Sequence, residues 1–177
     1  MTPRRRQAFG VAAPLAGVLA ALLAMTAGAA PADEEFLDAL RGSWTMNGTV
    51  MGQPVHYRAI AERAIKGAFL QLHMVDAARP PQYQADVYLG YDAKAGDYVV
   101  HWLDEFGAAG ARVVGTGRRD CQRLVVDFPY ADGAFRDTFT HDPAADSWTL
   151  LLESQDKDGH WSTFASYTLA RPVRASR

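Results

Sequence analysis

The stretch Leu40-Arg41-Gly42-Ser43-Trp44-Thr45-Met46-Asn47-Gly48-Thr49-Val50 decides how the rest of the chain is read. A glycine, one residue and a tryptophan open an extended-type segment directly after Asp33-Glu34-Glu35-Phe36-Leu37-Asp38-Ala39-Leu40. That upstream octapeptide has acids in its first turn and Phe36, Leu37 and Leu40 on one face, which predicts a single short helix ending at Gly42. Beyond it, turn chemistry recurs every 11 to 14 residues: Gly52-Gln53-Pro54, Lys66-Gly67, Arg79-Pro80-Pro81, Asp92 to Gly96, Gly107 to Gly110, Arg118 to Asp120, Ala131-Asp132-Gly133, Asp142-Pro143 and Asp156 to Gly159.

Between these marks lie ten segments rich in Val, Thr, Tyr, Phe and Trp, starting at Ser43, Val55, Ala68, Tyr83, Tyr98, Ala111, Gln122, Phe135, Trp148 and Trp161. Tyr98 to Leu103, Phe135 to Thr140 and Trp161 to Tyr167 alternate with period two, the pattern of strands with one face in a core. No gap has room for a crossover helix, so consecutive strands are expected to pair antiparallel as a meander. An open meander leaves two exposed edges. The expected fold is therefore all-β: a single antiparallel up-and-down barrel of about ten strands with a short N-terminal helix, spanning residues 33–171, with a two-sheet sandwich as the alternative.

The first 29 residues stand apart. Arg4, Arg5 and Arg6 precede the apolar run Val11 to Met25, and Ala27-Gly28-Ala29 supplies a cleavage signal, with Ala30-Pro31-Ala32 as a second position. A removed export signal is expected, with the mature protein periplasmic or secreted and touching a membrane only through this segment if it stays uncleaved. Removal leaves about 148 residues, enough for one core that buries ~70% of the unfolded surface. It also moves the formal charge from −2 to about −5, which leaves no basic footprint for nucleic acid. The single cysteine, Cys121, permits no internal disulfide and is expected to be a small buried residue.

With the helix, Gly42-x-Trp44 and the meander in place, the chain resembles the calycin superfamily of lipocalins and fatty-acid-binding-like barrels. The resemblance implies that Trp44 plugs the closed end and that Arg171, after Tyr167-Thr168-Leu169-Ala170, lies across its ring as a cation–π partner; Gly42, Trp44 and Arg171 form the plug. More closely, Leu40-x-Gly42-x-Trp44, Gly90-Tyr91-Asp92, Tyr98-Val99-x-His101-Trp102-x-Asp104 and Tyr167 to Arg171 are similar to an exported bacterial lipocalin-like family catalogued as a domain of unknown function. That likeness covers Phe36 to Arg171 and implies architecture without an activity. A haem-binding relative, the nitrobindins, carries a longer glycine-rich run and a proline-threonine pair that Gly42 to Val50 lacks.

No catalytic signature is present: nothing matches G-x-S-x-G, a phosphate loop or a cysteine dyad, so no catalytic residue is assigned. His73, His101 and His141 lack metal-ligand spacing, and neither metal nor cofactor is expected. Asp104-Glu105 and Asp127 are the candidate acid and base, but Asp104 and Glu105 are adjacent on a strand and point to opposite faces, so they cannot act together on one substrate. Tyr91 and Asp92 read either as a ligand portal or as a hairpin with an aromatic packed across it. The informative residues are charges on apolar faces: Asp137 with Phe135, Phe139 and His141, and Arg63 with Tyr57, Ala59 and Ala61. If those faces look inward, each charge needs a partner, water or a ligand group. The expectation is a lumen site in which Arg63 and Asp137 orient the polar end of a small hydrophobic ligand, while Tyr57, Val87, Trp102 and Phe139 contact its body. Two alternatives stand beside it: a barrel enzyme acting on a small substrate, and a filled structural or interaction domain.

Overall fold

The computed structural model describes residues 32–173; the expected signal segment over 1–29 and residues 174–177 of the tail lie outside them. The chain forms a helix α1 (Ala32–Ala39) and ten strands: β1 (Gly42–Val50), β2 (Gln53–Ala64), β3 (Phe69–Asp76), β4 (Gln84–Asp92), β5 (Asp97–Asp104), β6 (Gly115–Asp120), β7 (Arg123–Phe128), β8 (Phe135–Asp142), β9 (Ser147–Gln155) and β10 (Trp161–Ala170). Each strand pairs antiparallel with its chain neighbours, and β1 pairs with β10 from Thr45↔Ala170 to Val50↔Ala165, so the sheet closes into a barrel. Closure satisfies both edges that an open meander would expose.

Period-two alternation supplies the core. Trp44 and Met46, Tyr57 to Ala61, Leu70 to Met74, Val87 and Leu89, Tyr98 and Val100, Leu124 to Phe128, Trp148 to Leu152, and Tyr167 and Leu169 all contribute buried side chains from alternate positions. At the β1–β10 seam Gly48 has a packing reason: a Cβ there would collide with the Ser166 carbonyl. Gly48→Ala is expected to lose about 1 to 3 kcal/mol of stability through forced separation of the seam, measured as a lower urea midpoint.

One end of the barrel is closed. Phe36 and Leu37 of α1 and Leu40 just after it are buried over it, Phe36 meeting Trp148 edge-on at 5.0 Å between ring centres. Arginines clasp the helix from outside: Arg63 pairs with Glu34 at 2.7 Å and Asp38 at 2.9 Å, and Arg119 pairs with Asp33 at 2.8 Å. Although burial opposes it, hydrogen bonds from Arg119 and Tyr98 hold the Asp33 carboxyl below its ordinary pKa.

The Gly42-x-Trp44 stretch sits at this same end. The Trp44 indole is 1% exposed, its Nε1 donates to the Leu40 carbonyl at 2.7 Å, and the Arg171 guanidinium lies 3.5 Å from the ring centre. Arg171 also donates to the Arg41 carbonyl at 2.9 Å and grips Asp146 with two nitrogens. Gly42 has φ +114°, and a Cβ on it would stand 2.6 Å from Arg171 Nη1, so only glycine permits both the backbone turn and the arginine's path.

Three local expectations change. The sixth strand starts at Gly115 rather than Ala111, because Gly110–Arg112 forms a 3₁₀ turn, and the following turn falls at Cys121-Gln122, not Arg118 to Asp120. Arg118 to Asp120 are polar because they end β6 beside the helix, where Arg119 reaches Asp33. Cys121 is exposed, not buried, at φ +50° in that hairpin turn. The β5–β6 pairing is short, with only Tyr98↔Gly117, Val99↔Thr116 and Val100↔Gly115 in register, so the two strands part toward the end opposite the helix.

Candidate functional site

At that opposite end the inward side chains do not fill the barrel, leaving a cavity of about 390 Å³. Its wall is built where the strands farthest from the plug begin or end: Tyr57 from β2, Tyr83 just before β4, Trp102 and Asp104 from β5, Phe128 from β7, Phe135 and Asp137 from β8, Leu152 from β9, and Phe164 and Tyr167 from β10. Tyr130 follows β7, and Val50, Met51, Phe106 and Gly110 complete the wall at the mouth. Met51 and Phe106 are 72% and 74% exposed, so the rim carries large apolar groups in solvent.

The lining is aromatic and falls into two runs of rings. Tyr57 lies between Tyr83 at 5.7 Å and Tyr167 at 5.8 Å, and Phe135 lies between Tyr130 at 5.9 Å and Phe164 at 5.3 Å. Two carboxylates interrupt it, and among the described residues no lysine, arginine or histidine lines the cavity. Asp104, near the mouth, is held in a relay in which Trp102 Nε1 donates to the Tyr83 hydroxyl at 3.1 Å and that hydroxyl donates to Asp104 at 3.3 Å. The Phe106 amide donates to the other Asp104 oxygen.

Asp137 is different. It is 3% exposed, and no hydrogen bond or ion pair from a described residue reaches its carboxyl. Burial alone pushes its pKa up to about 8, because a lone carboxylate loses its hydration there without gaining a partner. Two tyrosines that line the same cavity feel its charge. Tyr130 and Tyr167 have raised pKa values, first through burial, with the Asp137 charge a smaller contribution. Among the described residues, the buried Thr138 Oγ1 and Trp148 Nε1 have no hydrogen-bond partner, but neither residue lines the cavity.

Of the six residues expected in the lumen, Tyr57, Trp102 and Asp137 converge on the cavity; Val87 and Phe139 belong to the packed core and are not part of its wall. Arg63 lies at the closed end against α1, six residues and roughly 20 Å along β2 from Tyr57. Period two assigned its face but not its height, and at that height the charge meets the helix acids. Phe164 is a residue that alternation misses. A bulge between Thr163 and Ala165 shifts the β10 register, so Phe164 joins the cavity wall while Trp161 lies outside under Arg136, 4.3 Å from its guanidinium. The signal that could have found the wall was the aromatic residue near the plug-distal end of most strands.

The other candidates fall into structural roles. Tyr91 packs on Tyr98 at 5.1 Å and Asp92 accepts from the Lys94 and Ala95 amides, which is the hairpin arrangement. His73 bonds Asp86, His101 bonds the Ala111 carbonyl, and His141 stacks on Trp148 at 4.5 Å. Asp127 pairs with Arg136 on the outer surface. Asp156, Asp158 and His160 approach one another in the exposed β9–β10 turn, where Asp156 accepts the Asp158 and His160 amides and so shapes the turn.

A profile of the family described as "Protein of unknown function (DUF1579)" matches residues 30–171. No curated protein matches the chain. Among solved structures, the crystal structure of Rv2717c from M. tuberculosis is similar, with a TM-score of 0.56 at 18% identity, covering 81% of this chain and 98% of that one. At that identity the likeness concerns the fold.

Proposed function

This chain belongs to the DUF1579 family of unknown function, and from that premise we propose that it is a calycin-type container holding one small, mostly apolar molecule in the open-end cavity. The observation that supports the reading is the unfilled, aromatic-walled space of about 390 Å³ inside an otherwise packed barrel. Its size falls in the ~300 to 1,000 Å³ range of ligand sites. A filled structural domain would close that space with side chains, as the plug end does. The working compartment, on this reading, is the periplasm or the exterior, supported by the basic start and apolar run of residues 1–29.

A second reading is favoured by one observation: Asp137 has a pKa near neutrality in a cavity, as general acids and bases often do. It ranks below the container because, among the described residues, no second group hydrogen-bonds the Asp137 carboxyl to complete an acid–base pair.

The test uses N-phenyl-1-naphthylamine, a neutral apolar fluorophore, with native mass spectrometry and solvent extraction of the exported protein. The wild type is expected to bind the probe saturably and to release an extractable small molecule. Leu152→Trp, which fills the cavity from β9, is expected to weaken the probe at least tenfold and to emerge without cargo. Equal probe binding by both proteins, or by neither, would overturn the container reading.

A further inference from the structure

The cavity wall has an unbalanced charge pattern. Among the described residues it holds two carboxylates, Asp104 near the mouth and Asp137 deep inside, and no cationic side chain. Asp104 is engaged by Tyr83 and by the Phe106 amide, whereas Asp137, 97% removed from solvent, faces the space with no partner among the described residues. Around it the walls are the faces and edges of tyrosine, phenylalanine and tryptophan rings, whose π systems attract cations. We propose that the occupant carries a protonated amine or related cationic nitrogen, held by the Asp137 carboxylate within this aromatic cage.

The inference rests on the container reading and adds the chemical class of the cargo. A ligand ending in a carboxylate or phosphate would bring a negative charge beside Asp104 into a low-dielectric space without a compensating cation. A neutral apolar ligand would leave Asp137 as it is in the empty cavity, a buried acid without a partner. A cationic nitrogen supplies the missing counter-charge and hydrogen-bond donors, and the aromatic rings enclose its carbon frame. Arg63 and Arg119, whose strand faces point toward the lumen, are paired at the far end with Glu34 and Asp38 and with Asp33 and cannot reverse this pattern.

The proton balance is explicit. In the empty cavity burial keeps Asp137 protonated up to about pH 8. Binding an ammonium group requires the carboxylate, so complex formation at pH 7 releases that proton to solvent. The groups facing Asp137 are Asp104, whose oxygens already accept hydrogen bonds, and the hydroxyls of Tyr130, Tyr167 and Tyr57, all shifted above the ordinary tyrosine value and neutral through this range. Amine affinity is therefore expected to rise roughly tenfold from pH 6.5 to 7.5, because the binding-competent ionised fraction rises by that factor.

The experiment compares three probes of one skeleton, 2-phenylethylamine, 2-phenylethanol and phenylacetate, by isothermal titration calorimetry at pH 7.5, alongside N-phenyl-1-naphthylamine. The expected order is amine at least tenfold tighter than alcohol, with phenylacetate weakest. Asp137→Asn is expected to lower amine affinity at least tenfold and abolish its pH dependence, while alcohol affinity stays within about twofold. The neutral amide removes an unpaired buried charge, so this variant is expected to fold. Alcohol or phenylacetate binding as tightly as the amine, or an amine preference that survives Asp137→Asn, would overturn the proposal while leaving the container intact. Absence of binding by every probe, the naphthylamine included, would overturn both.

Discussion

Asp137→Asn is expected to raise the melting temperature of the empty protein at pH 8 by roughly 10 to 20 °C and to leave it nearly unchanged at pH 4. The carboxyl has a pKa of about 8 in the folded protein and 3.8 as its ordinary value. Below pH 4 it is protonated in both the folded and unfolded chains and costs nothing through ionisation. Between pH 4 and 8 the unfolded chain releases the proton while the folded chain retains it, so the folded state binds more protons and stability falls as pH rises. Above pH 8 the folded chain ionises too and the loss levels off. At about 1.4 kcal/mol per pH unit, the accumulated penalty is on the order of 5 kcal/mol, a large share of the 5 to 15 kcal/mol typical of a domain. Circular dichroism melts of wild type and variant at pH 4, 6 and 8 check it. A gain of equal size at all three values would mean that Asp137 is not a lone buried acid. An amine ligand should reverse the sign, stabilising the wild type and not the variant.

The second large effect is at the other end. Trp44→Ala is expected to cost about 3 to 5 kcal/mol, because the indole is almost wholly buried and its loss leaves a cavity under α1. The Leu40 carbonyl loses its indole donor, and Arg171 loses the ring 3.5 Å from its guanidinium. Arg171→Leu alone is expected to cost less, since Arg171 is partly exposed and its ion pair with Asp146 lies at the surface. A double-mutant cycle by urea denaturation should give a Trp44–Arg171 coupling of ~0.5 to 2 kcal/mol. Naphthylamine affinity, measured well below the melting temperature, should stay within twofold in each variant, because the plug and the cavity lie at opposite ends. A coupling near zero would remove the energetic case for the plug.

These two residues differ in how far the sequence could place them. Trp44 announces itself through Gly42, the preceding acidic helix and the closing arginine, all short-range or terminal features. Asp137 announces itself through Phe135 and Phe139 on the same face, and the structure buries it as that alternation implies. Arg63 follows the same logic on β2 and ends elsewhere, because alternation says which face a side chain takes and nothing about how far along the barrel axis it sits. Phe164 fails for a related reason: one bulge in β10 breaks the period. Cys121 follows burial preference in general and is overridden by a two-residue hairpin turn whose backbone points it into solvent.

By itself, the sequence determined the all-β architecture, the number of strands, their antiparallel order, the N-terminal helix and the inward face of most strands. Turn residues and period-two alternation are local properties, readable from neighbours in the chain. Tertiary structure alone decided the height of each residue in the barrel, the parting of β5 and β6, the pairing of Arg63 with the helix acids, and the cavity around Asp137. Height follows from strand tilt and hairpin register summed around a closed sheet. A cavity is the volume that packing leaves unfilled, and no single segment encodes it.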